Sequence, residues 1–141
     1  MVANLPWPIK YNNITVTKCG LCIHPVYCWL ASSPDGFVQD PTSETSAGLL
    51  EIEYLYIADE DQLSPVEACQ FLSAFSLCIE LHNGKLQLKT NHNYYSQLQG
   101  QMAITKRDFV VMSKGVVTVD RIYFNRDFLE NSYSLNYKQF T

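Results

Sequence analysis

The sequence predicts an α/β or α+β fold, a mixed central sheet flanked by helices. Three observations lead there: short apolar-alternating runs in the first half, two helix-length segments opened by capping residues, and two late hairpins. A chain of 141 residues can build one core around such elements, and 47% hydrophobic against 17% charged residues suits a folded rather than a disordered chain.

Taken in order, Ile14-Thr15-Val16-Thr17 alternates as a strand does. Gly20 to His24 reads as a second, buried strand stopped by Pro25, and Ser33-Pro34-Asp35-Gly36 is a turn signal that releases a strand at Phe37-Val38. A polar loop from Asp40 to Gly48 separates it from the strand Leu49-Leu50-Glu51-Ile52-Glu53-Tyr54, which makes the two strands hairpin neighbours. Ser64-Pro65-Val66-Glu67 starts a helix running to about Ser73, with serine as cap, proline in the first turn and glutamate placed for a capping box.

Asn83-Gly84 between Leu77–Leu81 and Leu86–Lys89 is the strongest short hairpin signal in the chain. A helix follows from Asn93 to Thr105, with Asn91 or Asn93 as its cap and Tyr94, Leu98, Met102 and Thr105 on one face. Gln97 and Gln101 lie together at the edge of that face. Phe109–Met112 and Val116–Val119 form a last strand pair around Lys114-Gly115, and a short helix spans Arg126 to Asn131.

Composition excludes some functions. No apolar run approaches the roughly 20 residues that span a bilayer, and Met1 to Pro8 lacks the basic and apolar regions of a secretory signal, so an intracellular protein is expected. The five cysteines, an odd count, argue against a disulfide framework. Cys19-x-x-Cys22 with His24 and Cys28 offers soft ligands for zinc. The competing reading makes these residues part of a buried strand, with cysteine as a small hydrophobe. The net charge of −4 conceals a polarity: ten acids and no Lys or Arg from Cys19 to Gly84, then eight basic residues and four acids from Lys85 onward. The first half can hold cations and the second can meet phosphates.

The acids carry the chemistry. Glu51 and Glu53, two apart on a strand, leave the same face, and Asp35 starts the neighbouring strand. Carboxylates crowded together repel, and a hard divalent cation with oxygen ligands relieves the repulsion. A solvated E-x-E face after a common Asp-Gly turn is the plainer alternative.

Several stretches together resemble a known family. They are Gly20 to His24, Ser33-Pro34-Asp35-Gly36, Gly48-Leu49-Leu50-Glu51-Ile52, Ile79-Glu80-Leu81 with Gly84-Lys85-Leu86, His92 to Gln101, and Val119-Asp120-Arg121-Ile122. In this order, over residues 18–129, they resemble the YqaJ-type viral recombinases, the lambda exonuclease-like family of the PD-(D/E)XK nucleases. The resemblance implies a restriction-endonuclease-like core, incomplete on its N-terminal side, with 1–17 and 130–141 as flanking segments. It implies hydrolysis of DNA phosphodiesters, on linear duplex, with Mg2+ or Mn2+. Asp35 and Glu51 match its metal-binding acids, the Ile52 carbonyl a further metal ligand, and Gln97 the glutamine beside the site.

Where the family carries lysine, this chain has Glu53, often followed in the family by Cys-Pro and here by Tyr54-Leu55. A metal-binding domain with impaired hydrolysis is therefore expected, or a non-catalytic relative that binds DNA or protein. Gln101, Lys106, Arg107 and Lys114 are the expected DNA contacts, and self-association into a homo-oligomer stays open. His92 matches a family position whose plainer role is capping the helix. His82 is expected at the surface, and Tyr94 and Tyr95 in the core.

Overall fold

The computed structural model describes residues 9–11, 13–52, 78–114 and 117–132, with the side chains of 9–11, 114 and 117–120 left aside. The Ser64 helix, Glu53 with the rest of its strand, Cys69 and the Gly115 turn lie outside the described residues. Ten strands are described: β1 Ile9–Tyr11, β2 Ile14–Lys18, β3 Cys22–Ile23, β4 Ala31–Ser32, β5 Gly36–Gln39, β6 Ala47–Ile52, β7 Ile79–His82, β8 Lys85–Leu88, β9 Phe109–Lys114 and β10 Val117–Tyr123. Two helices join them, α1 Asn93–Thr105 and α2 Arg126–Ser132.

Six strands form one mixed sheet in the order β1-β2-β5-β6-β9-β10. β5 and β6 pair antiparallel, as the hairpin reading requires, with Gly36 opposite Leu50 and Phe37 opposite Leu49. β6 and β9 run parallel, Leu50 opposite Val111 and Glu51 opposite Met112. A parallel pair needs a crossover, and α1 lies within that connection. β3–β4 and β7–β8 are separate two-stranded hairpins.

Strand alternation divides the core between the two faces of the sheet. On one face Leu49, Val110, Met112 and Ile122 pack with Leu98 and Met102 of α1 and with Ile79 and Leu88 of the β7–β8 hairpin. On the other, Val38, Leu50 and Phe109 cluster with Val16, Ile52 and Val111. Leu98 and Met102 are fully buried; such side chains each contribute about 1.5–3 kcal/mol, and this burial fixes α1 to the sheet.

Local chemistry explains the connections. Asn83 and Gly84 take φ of 49° and 75°, the paired positive values of a type I′ hairpin turn. The cap of α1 is His92, not Asn91 or Asn93: its Nδ1 accepts the Tyr94 N–H at 3.1 Å while its backbone stays extended. At the other end Lys106 adopts the left-handed conformation (φ 57°) and its N–H returns to the Met102 carbonyl. His82 is exposed, and Tyr95 is buried edge-on to Phe128 at 4.8 Å.

The reading of Gly20–His24 as a buried strand is corrected. Only Cys22 and Ile23 are extended, paired with Ser32 and Ala31, and Leu21 and Ile23 are 67% and 57% exposed. An edge hairpin packed on one side leaves alternate side chains in solvent, and an apolar run does not reveal that. Among the described residues no helix is long and apolar enough to cross a membrane.

Candidate metal centre

The sheet register lines up the candidate residues. Lys18 opposes Gly36, and Gly36 opposes Leu50. Cys19 follows Lys18, Asp35 precedes Gly36 and Glu51 follows Leu50, so all three come to one end of the β2–β5–β6 strands. The Asp35 N–H donates to the Leu50 carbonyl at 3.1 Å, one residue off the ladder, so the regular pairing ends at Gly36 and Leu50. The Asp35 side chain reaches β6 as well: Oδ2 accepts the Ile52 N–H at 2.7 Å. Glu51 is 8% exposed on the α1 face, where Gln101 Nε2 donates to its Oε1 at 2.9 Å.

Thus Asp35, Glu51, Ile52 and Gln101 meet at one end of the β5–β6 pair. Gln97, one turn earlier on α1, is exposed, so Gln101 is the glutamine that touches an acid. Its other amide atom, Oε1, is buried without a hydrogen-bond partner among the described residues.

Gln99, which no sequence pattern singled out, is fully buried. Its Nε2 donates to the Tyr123 carbonyl at 2.9 Å and its Oε1 accepts the Asn125 N–H at 2.7 Å, tying α1 to the end of β10. Its signal in the sequence was its place between Leu98 and Met102.

Arg107 approaches the same face. Its guanidinium lies 4.6 Å from the centroid of the Phe37 ring, and Phe37 pairs with Leu49 two residues before Glu51. Lys106 is exposed beside it. Burial and its contact with Cys22 push the Cys19 thiol up to about 12; the charges of Arg107 and Glu51 both reach it, one lowering and one raising. Asp40 stands at the opposite end of β5. The Thr42 hydroxyl at 2.6 Å, and behind it Arg121 at 3.1 Å, hold its carboxyl below the usual 3.8.

The residues of the zinc reading, Cys19, Cys22, His24 and Cys28, do not gather into one ligand set. Among the described residues no three His, Cys, Asp or Glu side chains gather to hold a metal. His24 Nδ1 instead accepts the N–H groups of Val26 and Tyr27 at 3.2 and 3.1 Å, and Cys28 is exposed.

The Asp35–Glu51 end still fits a hard cation. It offers two carboxylates, a strand-end carbonyl and the unpartnered amide oxygen of Gln101. Mg2+ is commonly held by one or two carboxylates and keeps several waters, and a bound water would satisfy that oxygen.

The six-stranded mixed sheet, with β6 and β9 parallel and α1 against one face, has the restriction-endonuclease-like fold of the solved structures it matches. The solved structures that share it include LHK-Exo, an alkaline exonuclease from Laribacter hongkongensis. In its complex with dAMP the TM-score is 0.53, with 24% identity over 87% of this chain and 53% of that one. A second LHK-Exo structure gives 0.51 and 24% over 92% and 56%. At this identity the likeness establishes the fold, and the chain spans a little over half the length of the solved chains it matches. No family model and no curated protein matches the sequence.

Proposed function

We propose that this chain is a metal-binding, DNA exonuclease-like domain of the YqaJ type whose hydrolysis is impaired. Asp35, Glu51 and the Ile52 carbonyl would hold Mg2+ or Mn2+. The observation that carries this reading is the unpartnered Gln101 Oε1, buried beside Glu51 on the strand whose Ile52 N–H holds the Asp35 carboxylate. When bound, the metal supplies an activated water and offsets charge developing on the phosphate. The chain's own part is to hold the acids. The Ile52 N–H fixes one Asp35 oxygen and leaves the carboxylate's second oxygen for a ligand. Gln101 donates to one oxygen of Glu51 and orients that carboxylate.

Glu53 sets the level of activity. A lysine at this position can orient a water and stabilise negative charge in the transition state. Glutamate replaces that positive charge with a negative one, which repels the phosphodiester while adding a ligand for the cation. The same substitution supports a second reading, a non-catalytic domain that binds DNA or a protein.

The test is cleavage of linear duplex DNA in Mg2+ by the unaltered chain, Glu53→Lys and Asp35→Ala, with calorimetric Mn2+ titration alongside. We expect weak cleavage that rises in Glu53→Lys, and metal binding that is lost in Asp35→Ala. Strong cleavage by the unaltered chain, abolished by Glu53→Lys, would instead make Glu53 a general base. Metal binding with no cleavage in any variant would favour the binding domain.

A further inference from the structure

Beside the acids sits a group that the proposed chemistry does not use. Cys19 Sγ and Cys22 Sγ are 3.3 Å apart, both thiols free. Cys19 is buried directly after β2, at the end of the sheet where Asp35 and Glu51 lie, while Cys22 is half-exposed at the start of the β3–β4 hairpin, which packs against α1. We propose that this pair is an oxidisable dithiol, a site that reacts with small-molecule disulfides and closes a Cys19–Cys22 bond next to the metal centre.

Geometry supports the bond. Disulfide sulfurs lie about 2.05 Å apart, so the pair must close by little more than an ångström. The intervening residues can move to allow it: a Cβ placed on Gly20 would meet nothing within 4 Å, and Leu21 is 67% exposed. Neither is packed into the core, so the turn can tighten without disturbing β2 or β5.

Accessibility sets the order of events. The Cys22 thiolate attacks one sulfur of the incoming disulfide, forming a mixed disulfide and expelling the first small thiol. Cys19 then passes its proton to the small thiolate already expelled and attacks the Cys22 sulfur, and the second small thiol leaves as a thiolate that water protonates. The protein loses two electrons and two protons, and the reagent is reduced to two thiols. A loop this short strains the bond, and strained disulfides are the readily reduced ones, so the reaction reverses with a dithiol reductant.

The experiment treats the full chain with glutathione disulfide, blocks remaining thiols after unfolding, and maps cysteine pairs by mass spectrometry. We expect a Cys19–Cys22 link in most molecules, reversed by dithiothreitol and retained in Cys28→Ser. In Cys22→Ser we expect Cys19 to stay unmodified in the folded protein. Links to any other cysteine, a stable glutathione adduct on Cys22 without ring closure, or two thiols still free to be blocked would each overturn the proposal. The readout is a covalent bond, so it stands or falls apart from nuclease activity.

Discussion

At the scale of single residues, the two glutamines of α1 separate structure from sequence. Gln101 touches Glu51, whereas Gln97 faces solvent. Replacing Gln101 with Leu removes the donor to a buried carboxylate, which costs about 1–3 kcal/mol of stability. Loss of a group that orients a metal ligand typically weakens metal binding by about 10–100-fold. We expect both effects in Gln101→Leu, by urea unfolding and Mn2+ calorimetry, and neither in Gln97→Ala. A larger loss of metal affinity in Gln97→Ala would return the role to the position that the family resemblance suggested. The sequence brought both glutamines to one edge of the helix but could not choose between them. That choice depends on rotation about the helix axis, which Tyr95 against Phe128 and the two hydrogen bonds of Gln99 determine. These partners come from the end of β10 and from α2, so no local periodicity encodes them. That Asp35 and Glu51 lie near each other was legible because turn chemistry and strand alternation are local and bring both to one end of β5 and β6.

At the scale of elements, the β6–β9 pairing rests on a close approach. Gly48 lies opposite Phe109, and a Cβ at Gly48 would stand 2.2 Å from the Phe109 ring. The ring cannot retreat freely, because the Arg121 guanidinium lies 4.5 Å from its centroid and is itself bonded to Asp40. Gly48→Ala should therefore destabilise the domain by about 1–3 kcal/mol, the usual cost of forcing atoms into a packed core. Phe109→Leu in the same chain should recover part of the loss, since neighbouring substitutions couple. Urea unfolding of the two single variants and the double one checks this, and purely additive losses would refute it. Sequence patterning found β5, β6 and the Asn83-Gly84 hairpin because each carries its own turn or alternation. It misjudged the β3–β4 hairpin because burial there depends on what covers the hairpin, and Trp29, like Leu21, remains largely exposed at 73%.

At the scale of the whole molecule, the split between an acidic first half and a basic second half meets in the fold. β6 brings Glu51 from the first, and the segment after α1 brings Lys106 and Arg107 from the second to the same face of the sheet. The proposed activity needs this conjunction, acids to hold cations and bases to hold the phosphate backbone near them. The two bases are not equivalent. Lys106 is exposed, so its interaction with a phosphate should be released by salt. Arg107 is half-buried against Phe37, so its removal also costs packing. We therefore expect Lys106→Ala and Lys114→Ala each to weaken duplex binding. Each should also lower the slope of log affinity against log salt by about 0.9 for every phosphate that the side chain neutralises. Arg107→Ala should weaken binding by more, with part of that effect persisting at high salt and accompanied by reduced stability. Fluorescence anisotropy on a labelled duplex, from low to high salt, separates the two. Affinity that does not change with salt, or that survives replacement of all three residues, would show that the basic half does not form the DNA surface.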